Sequence, residues 1–117
     1  MLILPIKKKW FDMILSGEKR EEYREIKPYY DKRFLNAFNL NCEHNGWDYP
    51  YPIIFRNGYS SSSPSFTATV QLTVGKGKPE WGAEPGKDYY VLKIMEIEKP
   101  NNYVSKQEKS TVLPIIG

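Results

Sequence analysis

The chain has a single cysteine, Cys42, and a single histidine, His44. No internal disulfide is possible. A tetrahedral Cys/His zinc site has no third or fourth ligand of these types, so Cys42 and His44 read as small residues beside a turn. No metal and no cofactor is expected. Long apolar runs are absent, so no membrane span is expected. The opening "MLILPIKKKW" places its lysines after its apolar residues, the reverse of a secretory signal, and its apolar run is too short for one. A cytoplasmic location is the expectation. Charge of one sign is also scarce: the net charge is +3. Residues 1–58 carry ten basic and eight acidic groups, and residues 59–117 carry seven and six. Any basic footprint must therefore be assembled by folding, since the composition alone does not announce a nucleic-acid binder.

Aromatic residues are plentiful. Nine Tyr, five Phe and three Trp make up 15% of the 117 residues. Such a chain buries a real core and is not disordered. Its length suits one domain, placed at residues 1–100. The tail at 101–117 has weak periodicity, and "TVLPII" within it reads as an added edge strand or a mobile end.

Hydrophobic period sets the expected elements. "LILPI" at 2–6 reads as a buried strand. Over 8–16, Trp10 with Ile14 and Phe11 with Leu15 form a helical stripe, and Gly17 stands where a left-handed cap is wanted. Lys7 to Lys9 oppose the helix dipole at its start. "REEYRE" at 20–25 reads as a strand ended by Pro28. Residues 29–39 read as a second helix with Tyr30, Phe34, Leu35 and Phe38 on one side. Residues 51–55 read as a strand running into the turn signal "RNGY". In "FTATVQLTV" at 66–74, Phe66, Ala68, Val70, Leu72 and Val74 alternate with polar residues, as in a half-buried antiparallel strand. Residues 75–88 are a Gly/Pro-rich connection, and 89–98 a last strand. This order predicts an α+β fold, a mostly antiparallel sheet or small barrel carrying one or two helices.

The densest charge lies in "GEKREEYRE", residues 17–25. On a strand, Arg20, Glu22 and Arg24 share one face, while Glu21, Tyr23 and Glu25 share the other. Neither face is apolar. One reading is an edge strand whose charges deter aggregation. The other is a polar cleft with a Glu22 carboxylate held between cations and Lys19 swinging over it from the mouth. Lys27 and Arg33 are placed to reach phosphates, and Tyr30 to stack on a base or pack in the core. Arg56 stands at a strand end, beside Asn57-Gly58, whose backbone N–H groups suit an anion or an ordinary turn. Trp10 reads as core and Trp81 as a loop anchor.

Gly17, Lys19, Glu22 and Arg24 fit the pattern G-x-K-x-x-E-x-R. Together with the preceding "LPIKKKWFDMILSGEK", they resemble the motif of the ASCH domain family, within the PUA-like superfamily of small β-barrels. The resemblance is strongest over residues 2–34. It implies a barrel with a cleft next to the first helix, lined by Lys19, Glu22 and Arg24, that binds RNA or modified nucleotides. Some bacterial members deacylate N4-acetylcytidine with the motif lysine and a threonine three residues later. Glu22 occupies that place here, and a carboxylate cannot replace the hydroxyl as nucleophile without changing the chemistry.

Three functions follow. The first is RNA or nucleotide binding through Lys19, Glu22, Arg24, Lys27 and Arg56. The second is a small hydrolase, a ribonuclease or amidohydrolase with Lys19 and Glu22 as catalytic residues. Against it, the neighbouring acids Glu18, Glu21 and Glu22 favour a charged lysine, which is a poor base. The third is a protein-interaction module without nucleic acid.

Overall fold

The computed structural model describes residues 1–38 and 49–98. Cys42, His44 and the 101–117 tail lie outside the described residues. The chain is α+β. Its elements are β1 (Ile3–Ile6), α1 (Lys8–Leu15), β2 (Glu21–Arg24), α2 (Pro28–Ala37), β3 (Tyr51–Asn57), β4 (Ser65–Lys76) and β5 (Asp88–Glu98), with a 3-10 turn at Pro79–Trp81 before β5. The strands form one sheet in the order β1-β3-β4-β5-β2. β1 pairs parallel to β3, and the other neighbours are antiparallel.

The long β4 explains the centre of the sheet. Its alternation puts Phe66, Ala68, Val70 and Leu72 inside and the threonines outside. Val74, at the end of that pattern, is 48% exposed, although its β5 partner Tyr90 is buried. A register shift at Thr69/Val70 lies between β4 and β5. Such irregularities bend and twist a strand. The sheet curls into a half-barrel, and its two end strands meet through a side chain: Arg24 of β2 donates to the Pro5 carbonyl of β1 at 2.9 Å.

Both helices pack into the one core formed with the buried face of the sheet. α1 buries Phe11, Ile14 and Leu15, with Trp10 half-buried on the flank of the stripe. It begins at Lys8 despite the dipole, and Lys8 pairs with Asp12 at 2.6 Å one turn on. α2 starts with Pro28 at its first turn, where a missing N–H costs nothing. Tyr30, Phe34 and Phe38 face the sheet, whereas Leu35, expected among them, is 42% exposed. Phe34 stacks on Tyr30 and meets Phe38 and Tyr90 edge-on.

Tyr90 also ties α2 to β5, its hydroxyl donating to Asp31 at 2.5 Å. Burial, and then this bond, push its phenol up to about 12. A raised phenol stabilises the fold fully below the unfolded value near 10, and the gain is lost as pH climbs to the folded value. Tyr90→Phe is therefore expected to cost about 1.5–3 kcal/mol at neutral pH. In urea titrations, its deficit against wild type should shrink between pH 10 and 12. A deficit that stays constant across that range would contradict the Tyr90–Asp31 tie.

Candidate functional site

The cleft lies where the two end strands converge under the start of α2. It has a volume of about 630 Å³. Glu22 and Arg24 of β2 line it together with Pro5 and Ile6 of β1, Lys27 and Tyr30 beside α2, and the turn after β3. The far wall comes from the connection between β4 and β5, at Trp81 and Gly82.

Local geometry at the end of α1 sets up the floor. Gly17 takes φ +86°, a left-handed conformation that reverses the chain after the helix. The Lys19 amide then bonds back to the Met13 carbonyl at 2.9 Å. This turn drops the Lys19 side chain under the cleft instead of over its mouth. Lys19 is 1% exposed, and it does not line the cavity. Its ammonium donates to the Trp81 carbonyl at 2.5 Å and pairs with Glu22 Oε1 at 3.3 Å. It also sits over the rings of Trp10 and Tyr23, 4.7 and 5.0 Å from their centroids. Such desolvated cation–aromatic contacts are each worth up to about 2 kcal/mol.

The expected ladder of Arg20, Glu22 and Arg24 is half realised. Arg24 donates to Glu22 Oε2 at 2.8 Å, but Arg20 is exposed, and Lys19 replaces it as the second cation on Glu22. The cause is the register of β2: Arg20 precedes the strand, and its carbonyl accepts from the Ile94 amide. Arg24 also donates to the Tyr30 hydroxyl at 3.1 Å. Glu22 is thus clamped on both oxygens, each with a lone pair to spare.

Electrostatics follow burial. Desolvation pushes the Lys19 ammonium below its ordinary value, and the Glu22 carboxylate only partly offsets this. The acids beside Lys19 in sequence therefore do not decide its basicity. For Arg24, burial alone would lower the pKa, but the Glu22 charge and the Tyr30 hydroxyl outweigh it and the net shift is upward. The Tyr23 phenol is pushed well up, first by burial and then by its hydrogen bond to Glu21.

The 75–88 connection, which reads in sequence as a plain loop, is built into the site. Gly77 packs so closely that a Cβ there would lie 2.6 Å from the Ala83 Cβ and 2.7 Å from the Tyr23 ring. The next amide, at Lys78, donates to the Tyr23 hydroxyl at 2.9 Å. Gly82, at φ +104°, lies against Trp10. Gly77→Ala is expected to cost about 1–3 kcal/mol by overpacking. Urea denaturation checks this, and an unchanged midpoint would show that the wall is not seated as described.

Of the five binding residues read from sequence, Glu22, Arg24 and Lys27 line the cleft, Lys19 lies beneath it, and Arg56 is not among its lining. Arg56 follows the buried Phe55 on β3 and so shares the opposite face with Ile54. The adjacent amides form no anion site: Asn57 donates to the Pro64 carbonyl and Gly58 to the Arg56 carbonyl. Trp10, Trp81 and Tyr59 line the cleft but are not conspicuous in sequence. For Trp10 a signal existed: it is a bulky, polar-tipped ring on the flank of a stripe otherwise made of Phe, Ile and Leu.

Among the described residues, no group of His, Cys, Asp and Glu could hold a metal ion, and no helix is long and apolar enough to cross a membrane. No family model, no curated protein and no solved structure matches the chain.

Proposed function

We propose that the cleft binds a nucleotide, free or as part of an RNA, with the base held at the Glu22–Arg24 floor. The observation that carries this reading is the doubly clamped Glu22, a fixed acceptor set among aromatic walls. Base recognition needs a rigid hydrogen-bonding edge beside stacking surface. Trp10, Tyr30 and Trp81 supply the surface. The lining cations are Lys7, Arg24, Lys27 and Lys87, against Glu22, Glu25 and Glu84. Lys87 is within 3.9 Å of Glu25. That leaves Lys7 and Lys27 against Glu84, a net of one positive charge on the lining, suited to one phosphate rather than to a long polyanion. The resemblance of residues 17–24 to the ASCH motif points to the same ligand class.

Binding is favoured over catalysis. Burial does lower the Lys19 pKa, but its ammonium is sealed under the floor and held by Trp81 and Glu22. A general base must reach the proton it removes. Lys19 instead positions Glu22.

The test is a tryptophan-fluorescence titration with nucleosides and their 5′-monophosphates. Lys27 is exposed, so Lys27→Ala leaves the fold intact. It should weaken monophosphates about fivefold, or about 1 kcal/mol, and leave nucleosides unchanged. A folded wild type that binds neither would overturn the reading.

A further inference from the structure

A second hollow, of about 510 Å³, lies further along the same side of α2, between that helix, the residues just before β1 and the start of β3. The first cavity touches β1 at Pro5 and α2 at Tyr30, and the second touches Leu2, just before β1, and α2 at Arg33 and Ala37. β3 agrees: its end borders the first and its start, Tyr51 and Pro52, borders the second. Leu2 and Pro5 are three steps apart along extended chain, so the hollows are about 10 Å apart in that direction.

A chain of rings and guanidinium planes runs from Arg24 and Tyr30 in the first lining, through Tyr29, to Arg33 in the second. Arg24 lies over Tyr30, and Tyr30 meets Tyr29 edge-on at 4.9 Å. The Arg33 guanidinium is stacked 3.5 Å from the Tyr29 ring centroid and is held there by its bond to the Tyr29 carbonyl at 3.1 Å. Tyr29 is 53% exposed and Arg33 is exposed as well. A guanidinium fixed flat on a ring presents its outer face as a stacking plane and its N–H edge to an anion. The occupant that fits is one bearing both a planar ring and a phosphate in continuity with the first cavity.

We propose that Tyr29 and Arg33 form a second nucleotide subsite, so that the two hollows together take a single-stranded RNA of at least two nucleotides. The inference rests on the nucleotide reading of the first cavity. The second base stacks on the Arg33–Tyr29 pair, and the Arg33 N–H edge meets the linking phosphate. Stacking on such a plane is sequence-tolerant, because every base offers a flat face.

The test compares uridine 5′-monophosphate with uridine oligomers of two to six nucleotides, on wild type and on Tyr29→Ala/Arg33→Ala. Both positions lie outside the first cavity's lining. Wild type should bind the dinucleotide about tenfold more tightly than the monophosphate. The double variant should lose that gain, keep its monophosphate affinity, and show a flatter dependence of oligomer binding on salt. Arg33→Gln alone should lose part of the gain and all of the added salt dependence. Monophosphate binding with no gain in length, or a gain that survives in the double variant, overturns the second subsite alone. A folded wild type that binds neither monophosphate nor oligomer overturns both the subsite and the nucleotide reading.

Discussion

Glu22→Leu is expected to destabilise the fold by about 3–5 kcal/mol, the range for removing one partner of a buried ion pair. The Glu22 side chain is 8% exposed, and its partners Lys19 and Arg24 are 0% and 14% exposed. Without the carboxylate, two cations remain in a desolvated site with only carbonyls, a hydroxyl and ring faces to face. Lys19→Met should cost less, because Glu22 keeps Arg24 and the methionine fills the space between Trp10 and Tyr23. The double variant should be more stable than the sum of the single losses implies, since the second change removes a charge that the first orphaned. Urea denaturation of the four proteins gives the coupling directly. A Glu22→Leu loss under about 1 kcal/mol would show that the cage is wet or loosely formed.

Phe34→Ala is expected to cost about 3–5 kcal/mol. Phe34 is fully buried, and within α2 it is the buried residue that anchors the helix to the sheet. The effect should extend beyond stability. Tyr30 and Lys27 reach the cleft from the start of α2, so loosening that helix removes one wall while Glu22 and Arg24 stay on β2. Nucleotide affinity should therefore fall together with the exchange protection of α2. If α2 amides exchange faster and affinity is unchanged, α2 is not a wall of the binding site.

Features governed by local spacing were legible in the sequence. The alternation from Phe66 to Leu72 marks β4, and Gly17 after an apolar stripe marks the end of α1. The α+β class follows from that order. The position of Lys19 was not legible, because its partner carbonyl is on Trp81, 62 residues away. Nothing in "GEKREEYRE" distinguishes a lysine that swings over a cleft from one sealed beneath it. The wall at 75–88 was hidden for the same reason: Gly77 and Gly82 are spacers for Tyr23 and Trp10, which are remote in sequence. Arg56 is a different case. It alternates with Phe55, which the structure buries, so its side chain falls on the opposite face of β3 and outside the cleft lining.

The most direct measurement of the central claim is a map of backbone amide shifts on adding a nucleoside 5′-monophosphate to the 15N-labelled chain. A nucleotide seated in the cleft should shift amides on Glu22 to Lys27, the turn at Asn57 to Tyr59, and Trp81 to Glu84, with β4 amides from Thr67 to Thr73 unmoved. Shifts confined to the β4–β5 outer face, or none at saturating ligand, would contradict a nucleotide site on the Glu22–Arg24 floor.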